Sequence, residues 1–304
     1  GRARDRDHRR AILLAGLVAF VVLYRIVALV GVVSTGGNDD DGYRYDSARY
    51  HHIASNEGIP YRDFDVEFPP VAVAFIEVVN GDDDESTLTR LGIACFVLDL
   101  VVAGGLAFGW GRRAALAYLV IGLPFFLLPF IYFRVDLLSV ALATWGLALA
   151  RRRYERTGGA LLGLAVLAKL WPLAVLPALW AARRDRALAS AIVTGAVGGV
   201  VWLALGGVNG VRQVFTFRGA TGWQIERLIR GISRLFTGEF PREESGALRV
   251  GSTSTLVTIL LASVMVAIVG VVWWRVCRGT PDSTMIYGAA PVTTVAAFMV
   301  CSPL

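Results

Sequence analysis

The sequence predicts an all-α fold, a polytopic bundle of transmembrane helices with a large outer loop after the first helix and further helices lying at the membrane interface. Three observations carry that prediction. The 304-residue chain is 55% hydrophobic and only 18% charged, whereas soluble domains are about 45–50% apolar and ~25% charged. Its mean hydropathy is +0.58. Several apolar runs approach or exceed the ~20 residues that a helix needs to cross the hydrocarbon core.

The net charge of +6 does not point to nucleic acid. The arginines cluster at the ends of apolar runs, as the positive-inside rule expects of a membrane protein. Cys95, Cys277 and Cys301 lie in or beside apolar runs and form neither a disulfide framework nor a metal-ligand spacing. Walker, dinucleotide-binding and zinc motifs are absent from the sequence.

The basic tail "GRARDRDHRR" is expected in the cytoplasm, followed by a first crossing over 11–33. Residues 34–88 form the first outer loop. Within it "DSARYHHIASNEG" reads as a short helix with Asp46 as N-cap and Gly58 at its end. Asp46 also suits a catalytic base at the membrane surface, with Tyr50 four residues on and so on the same helix face. "PYRDFDVEFPP" then crowds Arg62, Asp63, Asp65 and Glu67 among aromatics, and Pro69 and Pro70 set the re-entry angle. Local ion pairs would explain part of this; a cationic or hydroxyl-rich ligand would explain the remaining acids, which also leave divalent-metal binding open. The run 69–80 is short for a crossing, and "GDDDE" at 81–85 reads as a solvated turn.

Residues 90–109 cross to "GRR", and 114–133 with 135–150 make a tight hairpin around "FRVD", where Arg134 and Asp136 sit at a membrane boundary. The return reaches "RRRYER". The run 158–181 must go in and come back, because basic clusters flank both ends. Pro172 interrupts it at "AKLWP", predicting two half-helices that meet near Lys169. Lys169 is the only lysine among the 30 Lys and Arg residues. A charge inside an apolar run is costly and marks function by default, and an ammonium at a helix break suits a lipid phosphate. Residues 188–206 cross out, 207–252 form a second large outer loop, 254–274 cross in, and 285–304 start outward again. The second loop predicts an amphipathic interfacial helix with Ile225, Leu228, Ile229, Ile232, Leu235 and Phe236 on one face, entered through a Thr221–Gln224 capping box.

Several of these stretches occur in one order. D-x-x-x-Y precedes "GIPYRDFDVEFPP", then "FRVDLL", "GLAVLAKLWPLAVLP", "RGATGWQIERL" and a final "SPL". Together they resemble glycosyltransferase family 87, the GT-C-fold, polyprenol-phosphate-sugar-dependent group that includes actinobacterial α-mannosyltransferases. Two departures stand out: Arg227 follows "QIE" where the family has Ser, and "SPL" replaces S-P-Q. The resemblance implies one GT-C-like domain over 1–304, cut short at its C-terminus, in the plasma membrane with a cytoplasmic N-terminus and an outward-facing active site.

It further implies transfer of a sugar, mannose by analogy, from a polyprenyl phosphate to a hydroxyl of a glycolipid or glycan acceptor. Asp46 would be the inverting base; Lys169, Arg134 and Arg218 would hold the donor phosphate. Tyr50, Tyr61, Arg62, Asp63, Glu67, Asp136, Gln224 and Glu226 would bind substrate. No cofactor and no nucleic-acid partner is implied; membrane lipids, donor and acceptor are the expected partners. A lipid-linked-sugar transporter or flippase would use the same broken helices and buried charge without a positioned base, and a third reading is a non-catalytic subunit of an envelope-assembly complex.

Overall fold

A computed structural model describes residues 2–34, 42–122, 131–216, 223–224, 242–244, 247–250, 255–279 and 282–301. The helices are α1 (Arg2–Ser34), α2 (Gly42–Ser55), α3 (Pro70–Val79), α4 (Asp84–Trp110) and α5 (Arg112–Ala117), which runs into a π-helical turn at Tyr118–Gly122. Then come α6 (Asp136–Arg151), α7 (Glu155–Ala168), a 3-10 segment at Trp171–Val175, α8 (Pro177–Ala181) and α9 (Asp185–Thr216). A second π-helical turn, Met285–Ala289, separates α10 (Thr255–Arg278) from α11 (Ala290–Cys301).

Three of these helices are long and apolar enough to span a bilayer: Asp84–Trp110, Asp185–Val214 and Ile259–Arg278. Ala15–Gly31 within α1 is a shorter apolar helix. The chain is a membrane protein. One departure from an all-helical reading is small. The second loop carries β1 (Trp223–Gln224), β2 (Arg242–Glu244) and β3 (Ala247–Val250), antiparallel in the order β1-β3-β2, with Trp223 opposite Val250 and Arg242 opposite Arg249. Gln224, expected in a capping box, lies in β1 instead, and the predicted amphipathic face from Ile225 to Phe236 lies outside the described residues.

Helix directions follow from side-chain contacts. Arg25 meets Asp99 and Leu29 lies beside Gly92, so α1 runs antiparallel to α4. Cys95 bonds the Arg134 carbonyl, Trp145 bonds Val101 and Arg151 bonds Gly109, so α4 and α6 are parallel. Ser139 bonds the Ala165 carbonyl, Gly146 abuts Leu162 and Gly158 abuts Ala150, so α7 is antiparallel to α6. α7 and α9 are parallel, because Gly159 abuts Ala187, Gly163 abuts Ala191 and Gly198 abuts Leu167. A Cβ on Gly163 would lie 2.7 Å from the Ala191 carbonyl, so glycine permits this close crossing.

Two parallel neighbours need a return path, and the break expected near Lys169 supplies it. α7 stops at Ala168; Lys169 is extended at φ −160°, ψ 142°. Pro172 and Pro177 each open a new short helix, where a missing N–H costs nothing. The chain comes back to Arg184, which reaches Glu155 at 3.2 Å and the Arg151 carbonyl at 3.4 Å.

The bundle therefore has two chemically different ends. At one, Arg151 donates to Gly109 O at 2.8 Å and Arg152 to Phe108 O at 2.9 Å, satisfying the last carbonyls of α4. Arg184 joins them, with Tyr287 3.4 Å away. The other end carries α2, α3 and the loop between them. α3 has only 10 residues, and both its flanks touch α2: Phe68 stacks edge-on with Tyr50 and Asn80 bonds His51 at 2.9 Å. It does not cross. "GDDDE" proves to be more than a solvated turn, since Asp83 caps α4 in a reciprocal capping box with Ser86.

Candidate active site

The expected N-cap role of Asp46 is not what the structure contains. α2 begins at Gly42, so Asp46 lies a full turn inside it. Its carboxylate instead forms an ion pair with Arg134 Nε at 3.4 Å. Arg134 belongs to the turn that enters α6, two residues before Asp136, the first residue of that helix. An acid there faces the positive end of the helix dipole. Asp136 in turn is bonded by the Lys169 ammonium from the end of α7. Four residues from three helices and one turn thus form a row of alternating charge: Asp46, Arg134, Asp136, Lys169. Asp46 is 17% exposed, Arg134 37%, Asp136 40% and Lys169 43%, so the row is open toward one side and not sealed in the core.

Tyr50 lies a turn beyond Asp46 and is 3% exposed. Burial raises its hydroxyl well above the ordinary range, and the negative charges of Asp46 and Asp136 add to that. It therefore stays a neutral hydrogen-bonding group.

The acidic turn is organised by its own bonds. Arg49 clamps Glu67 at 2.9 and 3.3 Å and the Asp65 carbonyl at 3.1 Å, tying the turn to α2. Asp63 accepts from Ile59 N at 2.7 Å and pairs with Arg62 at 3.0 Å. Hydrogen bonding from Arg62 holds the Asp63 carboxyl below its ordinary range. Tyr61 is buried and donates to the Phe68 carbonyl at 2.6 Å. Of the predicted site residues, Asp46, Tyr50, Arg134, Asp136 and Lys169 come together. Tyr61, Arg62, Asp63 and Glu67 make bonds within the turn and to α2. Arg218 and Glu226 lie outside the described residues; Gln224 is placed by its backbone in β1, opposite Arg249. Among the described residues no cluster of three His, Cys, Asp or Glu side chains could hold a metal.

A second polar centre, not anticipated from sequence, lies under the Arg134 turn. Arg25 Nε donates to Asp99 Oδ2 at 2.7 Å with both side chains fully buried. Tyr118 and Tyr132 donate to the same carboxylate at 2.5 and 2.7 Å, and Arg25 donates to Tyr24 at 2.6 Å. Tyr132 and the Cys95–Arg134 bond fix the turn that carries Arg134 and Asp136. The signal available in sequence was a charge deep inside each of two apolar runs, Arg25 and Asp99.

The sequence pattern of glycosyltransferase family 87 matches residues 84–303. The chain belongs to glycosyltransferase family 87. As a family 87 protein it is a membrane glycosyltransferase. The matched region contains Arg134, Asp136 and Lys169; α2 and the acidic turn precede it. No curated protein and no solved structure matches the chain.

Proposed function

We propose that this family 87 enzyme transfers a sugar, mannose being the first to test, from a polyprenyl phosphate to a hydroxyl of a glycolipid or glycan acceptor at the outer face of the plasma membrane. The observation that supports this reading is the alternating row Asp46–Arg134–Asp136–Lys169 at the end of the bundle opposite the arginine clusters. The positive-inside rule assigns the arginine end to the cytoplasm, and hence the row to the outer face.

In this reading the donor phosphate is held by Lys169 and Arg134, with Arg218 added from the second loop. Preorganised positive charge stabilises the leaving phosphate as the glycosidic C–O bond breaks. Asp46 takes the acceptor proton as the acceptor oxygen bonds the anomeric carbon from the opposite face, so the configuration inverts. One base suffices for that outcome. Arg134 is one partner of Asp46 in the structure. A phosphate that competes for Arg134 would loosen that pair, so donor loading would favour base action. Tyr50 and Asp136 line the same place, and Tyr61, Arg62, Asp63, Glu67, Gln224 and Glu226 are proposed to shape the acceptor side.

The test is transfer from polyprenyl phosphate mannose by Asp46→Asn and Asp46→Ala, with donor binding measured in parallel. Loss of a general base lowers the rate by roughly 10²–10⁴ and leaves donor binding intact. Normal transfer by both variants removes Asp46 from the mechanism. Lys169→Ala is expected to weaken donor binding at least ~10-fold, since a charge-assisted hydrogen bond is lost; unchanged affinity would place the phosphate elsewhere.

A further inference from the structure

We propose that Gln213 is a positioning residue for sugar transfer: its amide clips the acidic turn at 59–68 to the tip of α9. The single Gln213 amide makes two bonds across the turn. Its Oε1 accepts from Val66 N at 3.1 Å and its Nε2 donates to the Tyr61 carbonyl at 3.1 Å. One side chain thereby joins both limbs of the turn to α9, 147 and 152 positions away in sequence.

Three independent features surround this clip. Tyr61 holds φ at 70°, a left-handed conformation that bulky residues rarely adopt and that persists only where neighbours enforce it. Its ring lies 5.8 Å from Trp202, and Gly206 and Gly210 leave α9 bare where Tyr61 rests. α9 is interrupted at Gly207, whose φ of 60° and ψ of −162° form a glycine-only conformation. The tip beyond it, residues 208–216, is therefore set at its own angle, and it extends the helix into the 207–252 stretch expected from sequence to be loop. The turn is tied onward to α2 by Arg49 and Glu67, and α2 carries Asp46. A continuous set of bonds thus runs from the α9 tip through the turn to the helix that presents Asp46.

Two arms test this in the chain reconstituted in lipid nanodiscs. The first is amide hydrogen exchange and is independent of the catalytic reading. In Gln213→Ala, amides of 59–68 should exchange at least about fivefold faster, while those of α6 and α7 are unchanged. Gln213→Glu keeps the acceptor for Val66 N and loses the donor to Tyr61, so its exchange should fall between. Gly206→Ala, which forces Tyr61 away while keeping Gln213, should loosen the same turn. Unaltered exchange in 59–68, or acceleration throughout the chain, would overturn the clip.

The second arm is kinetic and rests on the proposed function. In Gln213→Ala kcat for sugar transfer should fall on the order of tenfold, because a base carried on a displaced helix is misplaced. KM for polyprenyl phosphate mannose should hold within about twofold, since the positive groups remain. Gln213→Glu should recover part of kcat. Loss of donor affinity at normal kcat would make Gln213 a donor contact and overturn positioning. If the unsubstituted protein transfers no sugar, the proposed function fails, and the exchange arm alone decides the clip.

Discussion

Arg25 and Asp99 form a fully buried ion pair whose worth depends on how completely each ion is bonded. Taking two charges out of water costs several kcal/mol each, and the cost is recovered only when the remaining lone pairs and protons are bonded. Asp99 is well satisfied by Arg25, Tyr118 and Tyr132, whereas Arg25 Nη2 has no hydrogen-bond partner among the described residues. Arg25→Ala or Asp99→Ala alone should therefore destabilise the protein by about 3–5 kcal/mol, and Arg25→Met with Asp99→Leu by far less. Thermal unfolding in detergent checks this; a double variant as unstable as the singles would contradict it. Asp63 supports a pH prediction. Its folded-state pKa is depressed, so its pairing with Arg62 stabilises the turn above the ordinary carboxylate value of ~3.9 and is lost as pH falls. Proteolysis within 59–68 should accelerate only as the medium is acidified below about pH 4, and Asp63→Asn should abolish that dependence. The pairs themselves were not legible in the sequence. Asp46 with Arg134, and Asp136 with Lys169, are matched by helix direction, and nothing local in "DSARY" or "AKLWP" names the partner.

At the scale of elements, local chemistry was a better guide. Pro172 announced the break at Lys169, and the dearth of residues between Pro69 and Asn80 announced a helix too short to cross. α2 starts a turn before the sequence predicts, because Asp46 satisfies the N-cap preference while "GYRY" ahead of it has no apolar stripe to betray a helix. The parallel α7–α9 contact was illegible for another reason: glycines signal close approach but not the partner. It gives a prediction nonetheless. Gly163→Ala sets a Cβ 2.7 Å from the Ala191 carbonyl, an overpacking that should cost about 1–3 kcal/mol. Gly195→Ala on the partner helix meets nothing within 4 Å and should leave the melting temperature unchanged or slightly raised, as Ala favours helix. Equal losses at both positions would refute the close crossing.

For the whole molecule, opposite ends differ in charge, and this was legible from the arginine clusters alone. Cys277 is exposed on the last turn of α10, at the arginine end, and Glu57 is exposed just after α2. In intact cells a membrane-impermeant thiol reagent should label Glu57→Cys directly and Cys277 only after permeabilisation. The reverse pattern would invert the proposed topology and move the charged row to the cytoplasm.

The Arg25–Asp99 pair also places a demand on biosynthesis. Arg25 leaves the ribosome 74 residues before Asp99, an interval of roughly 4–15 s at 5–20 residues per second. Throughout it the Arg25 guanidinium has the Tyr24 hydroxyl and the Val21 carbonyl of its own helix but not the Asp99 carboxylate, and an arginine without its counter-charge costs ~2.5–3.5 kcal/mol at the centre of an inserted helix. α1 therefore has reason to linger beside the insertion machinery until α4 arrives, and its final residence in lipid becomes an assembly event and not an insertion event.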